Sequence, residues 1–480
     1  MCDPMLLEES FSLSIAAASS TDTIPQFSAS TMSSCGIVEA GTESAGLTEV
    51  ADERSGLDQA TERDRRPVCV DVLRRARVST RVLGPATRFL GPGFGEGYGS
   101  CGADRDAEMV RVLLSSDLHG NDEHLEMLLH HAEHVEAVDV VVLGGDLGPR
   151  GTGFGRDADG KRDLLAHLPK RSDGKIDWTT DEALAYMREG YMTQKEWFTR
   201  TLVPMLERCA VPSVCLFGNS DWAGLLPLAR AALTKTPETG DDAHVRFADG
   251  TDVFTLRTRA RDAVTREPLA TVDVLSCSLV PVCGHRKKDW ERCDTERLAD
   301  TTTRPAYARG DAFGFVSAPD GDGIARGAVD VSEEGARQRS IQSALAATID
   351  RRRAANKSVP PLWVTHAPPL GTVGDTCASG ASVGSAAVRD AVKAWSPRVT
   401  LHGHIHESVD MHSGRFCELV TSSGGGEKTT VVCSVGNDFK RQHPHCLVFD
   451  AADPERRVRR VEVKRRAEVT ETRAPSLHRP

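Results

Sequence analysis

Short apolar runs alternate with amphipathic helical patterns from Met109 to Asn219. The runs are MVRVLLSS, VDVVVLGGD and VPSVCLFGN, and each is nearly continuous in apolar residues. Such runs are typical of strands that are buried on both faces of a parallel sheet. The intervening segments NDEHLEMLLHHAEHV and MTQKEWFTRTLVPMLERCA carry apolar residues at helical spacing. Because consecutive parallel strands are joined by right-handed crossovers, this alternation predicts a layered α/β core.

Further strands are predicted after residue 270. The segments TVDVLSCSLV (271–280), SVPPLWVTH (358–366) and SPRVTLHGH (396–404) are rich in apolar and β-branched residues. The segments TTVVCSVGN and HPHCLVFD are predicted to pair with each other and to cover the edge of a second sheet.

Composition divides the chain into three parts. Residues 1–107 are rich in Ser, Thr, Ala, Gly and charge, so they bury too little apolar surface to offset their ordering entropy, and they are predicted to be mostly disordered. Residues 108–455 carry the strand and helix patterns and are predicted to form the folded domain. Within it, residues 151–190 and 281–340 are polar and are predicted to be surface insertions. Residues 456–480 form a basic tail.

Charge and hydropathy limit the function classes. The net charge of -10 argues against general nucleic-acid binding. No apolar run approaches the roughly 20 residues that span a bilayer, and the acidic N-terminus is unlike a secretory signal. The 13 cysteines include no CxxC pair, which favours free thiols in a reducing compartment. We therefore expect a cytoplasmic protein with no membrane partner.

Five polar motifs follow the predicted strands, where ligands of open α/β sheets bind. They are SSDLHGN, LGGDLGPRG, LFGNSD, VTHAPP and LHGHIHES. Their candidate metal ligands are Asp117, His119, Asp146, Asn219, His366, His404 and His406. A carboxylate between two divalent ions reduces their repulsion, and mixed nitrogen and oxygen ligands suit Zn, Fe or Mn. Such a metal pair acts as a clamp on the attacking and leaving oxygens of an in-line displacement.

The ordered motifs resemble those of the calcineurin-like metallophosphoesterase superfamily, whose members carry D-x-H, G-D, G-N-H, H and G-H-x-H in this order. The resemblance covers about residues 109–450. It implies an α/β fold, a four-layer α/β/β/α sandwich of two mixed sheets. It also implies hydrolysis of a phosphate ester by a hydroxide or water that two transition-metal ions (Mn, Fe or Zn) activate. The substrate would be a phosphorylated small molecule, nucleotide or phosphoprotein.

The same resemblance implies roles for individual residues. Asp117, His119, Asp146 and His406 would hold one metal ion; Asp146, Asn219, His366 and His404 would hold the other. Asp146 would bridge the two ions, and Arg150 would contact the substrate phosphate.

Two positions depart from the family pattern. Ser220 stands where the family has the histidine that stabilises the leaving group, and Pro149 stands where phosphoprotein phosphatases have the aspartate that pairs with it. The general acid is therefore open, with Asp221 and His124 as candidates. A metal-binding scaffold without catalysis is one alternative function, and a nuclease or phosphodiesterase is another, which the acidic charge disfavours.

Other basic and histidine residues have competing interpretations. The loop CGHRKKDW (283–290) is predicted to be a solvated insertion; alternatively, Arg286, Lys287 and Lys288 line the site and bind additional phosphates. The histidines outside the motif ligands are interpreted as surface or core residues: His124, His130, His131, His134 and His402.

Overall fold

The computed structural model describes residues 110–150, 165–234, 243–297, 312–319, 321, 323–422, 428–451 and 458–465. The predicted disorder of residues 1–107 lies outside this part of the chain. So does the tail beyond residue 465.

The strands lie in two large sheets and two short ribbons. In chain order they are β1 (Arg111–Ser115), β2 (Val140–Gly144), β3 (Ser213–Leu216), β4 (Val245–Phe247), β5 (Thr251–Arg257), β6 (Thr271–Cys277), β7 (Val280–Pro281), β8 (Glu291–Arg292), β9 (Phe313–Ser317), β10 (Ile324–Ala328), β11 (Leu362–Thr365), β12 (Val399–His402), β13 (Cys417–Thr421), β14 (Thr429–Ser434), β15 (His445–Asp450) and β16 (Arg459–Glu462).

Helices connect the strands. The α-helices are Asp122–His130, Asp181–Trp197, Val203–Arg208, Leu225–Ala231, Glu333–Arg339, Ile341–Ala354, Ala386–Trp395 and Ser408–Met411, and His131–Val135 and Phe198–Leu202 are π-helical. A polar side chain starts the helix next to the site. Asn121 accepts the backbone N–H of His124 at 3.0 Å, so the first helix begins directly after the β1 loop.

Both large sheets are six-stranded and mixed. The first has the order β16-β15-β1-β2-β3-β4, in which β1 to β4 are parallel and β15 is antiparallel to β1. The second has the order β13-β14-β12-β11-β6-β5, with parallel central strands and antiparallel pairs at both edges. The prediction of two mixed sheets is confirmed.

The apolar core lies on both faces of the sheets. Alternate residues of the two sheets, such as Val112 and Leu114 of β1 with Val364 of β11, form one cluster between the sheets. The opposite faces, including Leu113 and Trp363, belong to a cluster that contains the helices. Side chains of a strand point alternately to its two faces, so each central strand is apolar throughout. This arrangement is the predicted four-layer α/β/β/α sandwich.

One strand prediction is wrong. The segments TTVVCSVGN and HPHCLVFD do not pair, because β14 lies between β13 and β12 whereas β15 lies between β16 and β1 in the other sheet. All six residues of β15 are buried, which is the pattern of an interior strand rather than of an edge.

The predicted surface insertions also contain core residues. The helix Asp181–Trp197 begins inside the 151–190 segment and buries Tyr186 and Tyr191. Trp290 and Phe315, within the 281–340 segment, are buried as well. The surface interpretation is wrong for these parts; residues 151–164 and 298–311 lie outside the described chain.

The prediction of free thiols is wrong for one pair of cysteines. Cys417 of β13 and Cys433 of β14 lie opposite each other and form a disulfide.

None of the helices in the described ranges combines the length and apolar character that a bilayer-spanning helix needs.

Candidate metal centre

The first sheet brings three of the polar motifs to one edge. Asp117 and His119 follow β1, Asp146 follows β2 and Asn219 follows β3. The loops bond to each other through their backbones: the N–H of Asp117 donates to Gly145 O at 2.9 Å and the N–H of His119 to Asp146 O at 3.0 Å. The motif residues of neighbouring strands are therefore held in a fixed register.

The second sheet contributes the remaining motifs. His366 follows β11, and His404 and His406 follow β12. The two sheets meet here, because the N–H of His404 donates to both carboxylate oxygens of Asp117 at 3.0 Å. Gly403 permits this approach, since a Cβ there would overlap the side chains of Ser116 and Asp117.

Four of the seven predicted ligands have a left-handed backbone. The φ angles are 57° for Asp117, 48° for His119, 52° for Asp146 and 71° for His404. Residues other than glycine adopt this region uncommonly, and such strain persists where the surrounding structure over-determines it. The backbone bonds between the loops supply that constraint.

One ligand group comprises Asp117, His119, Asp146 and His406. The Nε2 atoms of His119 and His406 lie 3.0 Å apart. His119 Nε2 is 3.6 Å from Asp146 Oδ2, and His406 Nε2 is 3.5 Å from Asp117 Oδ1. Potential donor atoms from all four residues lie within 4.8 Å of one another.

The second ligand group comprises Asp146, His366 and His404. His366 Nε2 is 3.3 Å from Asp146 Oδ1 and 3.3 Å from Asn219 Oδ1, so the amide of Asn219 joins the group. His366 Nδ1 lies 2.9 Å from Gly144 O. Because Nδ1–H donates to this carbonyl, Nε2 is left to face the other donors, as in metal-ligating histidines.

These residues fit a bound cation. Two imidazole nitrogens 3.0 Å apart beside two carboxylates form a donor set that favours a positive charge between them. The guanidinium of Arg150 supplies one, with Nη2 at 3.0 Å from His119 Nε2 and 3.1 Å from His406 Nε2. The same four residues offer the nitrogen and oxygen donors that a metal ion would bind.

The charges of the site shift its pKa values strongly. Burial alone would raise the pKa of Asp146, but the charge and hydrogen bond of His366, together with the charges of His119 and His404, hold that pKa well below its usual range. Burial opposes protonation of His366, yet Asp146 raises its pKa to about 9. Burial lowers the pKa of His404 to about 4 and holds that of His119 well below its usual value. Asp146 and His366 thus form the charged pair of the metal-free site.

The family model of calcineurin-like phosphoesterases matches residues 110–408, which include every one of these ligands. The chain belongs to this family. A search of curated proteins finds no match. Among solved structures, the chain is similar to TT1561 of Thermus thermophilus, at 11% identity and a TM-score of 0.35 over 74% of this chain and 100% of that one. It is also similar to phosphopantetheinyl hydrolase from Mycobacterium tuberculosis, at 12% identity and a TM-score of 0.31 over 69% and 90%.

In this member of the family, Ser220 and Asp221 support the loops that carry the candidate ligands. The Ser220 N–H donates to Asp146 Oδ1 at 2.7 Å and its hydroxyl to Oδ2 at 2.8 Å. The carboxylate of Asp221 accepts the N–H groups of Leu147, Gly148 and Gly218 at 2.8–3.1 Å. Burial raises the pKa of Asp221 to about 6, with the charge of Asp146 as the second cause. Both side chains are therefore engaged by the loops that carry the ligands.

The other candidate acid lies against a different loop. The Nε2 of His124 is 2.9 Å from the carbonyl oxygen of Arg441. His402 is a core residue, as predicted, with Nδ1 at 2.9 Å from Thr365 Oγ1 and Nε2 at 2.9 Å from Thr400 Oγ1.

The basic loop 283–290 was predicted to be solvated, and this prediction is wrong for two of its lysines. Lys287 and Lys288 are both buried. Lys288 Nζ is 2.6 Å from Glu291 Oε2, and Arg286 Nη1 donates to the carbonyl of Phe313 at 3.0 Å. Lys287 approaches the ligand loops, since its ammonium group donates to the carbonyl of Ser220.

Sequence reasoning missed two residues near the site. The ring centroids of Phe439 and His119 lie 4.7 Å apart. The guanidinium carbon of Arg150 lies 4.5 Å from the centroid of the Phe439 ring. A signal for Phe439 existed, because the segment GNDF follows β14 at the same edge of the second sheet. Gln194 donates to the carbonyls of Pro149 at 2.6 Å and Ser220 at 2.7 Å. No sequence pattern marks a helical side chain that binds a loop carbonyl.

Proposed function

We propose that this phosphoesterase hydrolyses phosphate monoesters or anhydrides at a centre of two metal ions that share Asp146. The observation that carries the proposal is that two ligand groups converge on this one carboxylate. Two bound ions of Mn, Fe or Zn would supply Lewis acidity, which activates water and neutralises charge on the phosphate. The alternative of a scaffold without catalysis requires the same residues to be held under backbone strain for binding alone.

The residues of the chain have distinct roles in this proposal. The first group of ligands would hold one ion, and the second group with Asn219 would hold the other. Arg150 leaves its position between the imidazoles and contacts the substrate phosphate, because a planar guanidinium pairs with two phosphate oxygens. Asp221 positions the loops instead of donating a proton, since three N–H groups occupy its carboxylate.

The leaving group determines the substrate class. The hydroxyl of Ser220 is directed to Asp146, and it takes the place of the histidine that assists the leaving group in relatives. A positioned general acid is typically worth about 10²–10⁴-fold in rate. We therefore propose substrates whose leaving group is a weak base, such as aryl phosphates, nucleoside di- and triphosphates and pyrophosphate, in preference to phosphoserine peptides.

The test is a rate series over substituted phenyl phosphates with the Mn²⁺-loaded protein. We expect the rate to fall steeply as the pKa of the leaving phenol rises, and Ser220→His to flatten this dependence. Asp146→Asn is the inactive control. A flat series for the wild type would show that another acid assists the leaving group. No hydrolysis of any ester by metal-loaded protein would favour the scaffold.

A further inference from the structure

Lys287 is a buried lysine outside the metal ligands whose placement the reaction above does not explain. It lies between β7 and β8 in sequence and is fixed by the backbone of β9, to which its segment bonds: Phe315 N donates to Arg286 O at 2.8 Å and Lys288 N to Phe315 O at 2.9 Å. The residue is only 4% exposed. A buried ammonium group loses its hydration, so its partners must compensate.

The contacts of Lys287 lead to Asp146. Its ammonium group donates to the carbonyl of Ser220 and lies 5.2 Å over the ring of Trp222. The N–H and the hydroxyl of Ser220 each bind one oxygen of Asp146, at 2.7 and 2.8 Å. Ser220 thus links a buried cation to the carboxylate that both ligand groups share.

We propose that Lys287 is a positioning residue of the metal centre, which holds Ser220 so that its two donors orient Asp146. The inference rests on the proposed two-metal centre. It assigns to the basic loop a role in orienting the ligands, in place of the binding of additional phosphates.

The charge of Lys287 is what distinguishes it from Gln194, the other donor to Ser220 O. Hydrogen bonds from a charged donor are about twice as strong as those from a neutral one. The bond from Lys287 fixes the Ser220 carbonyl, and with it the residue whose N–H and hydroxyl bind Asp146. Residues that orient metal ligands through hydrogen bonds, without binding the metal themselves, typically contribute about 10–100-fold to metal affinity or activity.

Calorimetric titration of metal-free protein with Mn²⁺ tests the assignment without using activity. We expect Lys287→Met to weaken Mn²⁺ binding by about 10–100-fold, Lys287→Gln to weaken it nearly as much, and Lys287→Arg to keep most of the affinity. Arg286→Met is the matched control, because Arg286 is the preceding basic residue and binds Phe313 O. The Mn²⁺ affinity of the Arg286→Met variant should equal that of the wild type.

The steady-state readout is a fall in kcat with little change in KM, since Lys287 acts on Asp146 and not on the substrate. Wild-type affinity in both Lys287→Met and Lys287→Gln would overturn the inference. So would a Lys287→Arg variant as weak as Lys287→Met, because charge would then be irrelevant. If Lys287→Met does not fold, Lys287→Gln and Lys287→Arg still give the comparison. Failure of the proposed function is distinguishable, since it would appear as wild-type protein that binds Mn²⁺ and hydrolyses no ester.

Discussion

The two sheets contribute different chemistry to the candidate centre. The first sheet supplies both carboxylates and the amide, with His119 as its only imidazole among the seven ligands, whereas the second supplies His366, His404 and His406. Three of the four ligands of the first sheet have positive φ, against one of three in the second. The negative charge and most of the backbone strain are thus concentrated on one sheet. The second sheet therefore completes the candidate shells with imidazole donors, whereas the first sheet determines the negative charge of the site.

The largest expected difference between the sheets is in metal stoichiometry. Asp146→Asn, on the first sheet, should lose both equivalents of metal, because both ligand groups contain Asp146. His404→Asn, on the second sheet, should lose one at most, since only one group contains His404. Elemental analysis of dialysed, Mn²⁺-loaded protein measures this. Equal loss in the two variants would mean that Asp146 is not the shared ligand.

A smaller difference is expected in the packing where the sheets meet. A Cβ on Gly218 would overlap Asp146 and His366, which lie on different sheets. A Cβ on Gly403 would overlap Ser116 and Asp117. Overpacking typically costs about 1–3 kcal/mol in free energy of unfolding. We expect Gly218→Ala to cost more than Gly403→Ala, because it displaces the Asp146–His366 pair.

The control for this packing prediction is Gly144→Ala. A Cβ there meets the Ser116 side chain at 3.3 Å, a contact that a small shift relieves. Urea unfolding of the three variants in the presence of a chelator gives the order. If Gly144→Ala were as destabilised as Gly218→Ala, the cost would come from the strand backbone and not from the contact between sheets.

A third expected effect concerns a histidine of the second sheet that is not a candidate ligand. Burial lowers the pKa of His402 to about 3, with the hydrogen bond at Thr365 opposing. The ordinary pKa of a histidine is about 6.5. Below this pH, His402 binds a proton in the unfolded chain but not in the folded protein. Stability from this group is therefore complete above about pH 6.5 and falls by about 1.4 kcal/mol per pH unit down to about pH 3.

We expect His402→Gln to remove this slope. Urea unfolding of metal-free wild type and variant at about pH 6.5 and about pH 5 gives the difference, in which other titrating groups cancel. Parallel pH dependences in the two proteins would contradict the burial of a neutral imidazole at this position.

The convergence of the candidate ligands could be predicted from sequence because each follows a mostly apolar run. Such a run marks a central strand, and the carboxyl ends of parallel strands meet at one edge. The same rule, applied to HPHCLVFD, would have placed β15 in the sheet interior, since all of its residues are buried. Its partner β1 could not be identified, because continuous apolar strands carry no register signal of their own.

The contacts that support Asp146 were beyond sequence reasoning. Lys287 and Gln194 both bind the Ser220 carbonyl from positions 67 and 26 residues away. A backbone carbonyl is present at every residue, so nothing in the sequence marks this one as an acceptor. The charge of the basic loop likewise predicts solvation, but Lys288 pairs with Glu291, the residue that directly follows the loop.

The pairing of β1 with β15 has a consequence for synthesis of the chain on the ribosome. Ser115, at the end of β1, bonds to the carbonyl of His445, which lies 330 residues further on. At about 5–20 residues per second, roughly 15–65 s separate the emergence of these two strands. During that interval β1 has β2 on one side and an open, apolar edge on the other, which is a template for association with other chains. The nascent protein should therefore depend on chaperones until β15 is translated, and chains that end before residue 445 should aggregate.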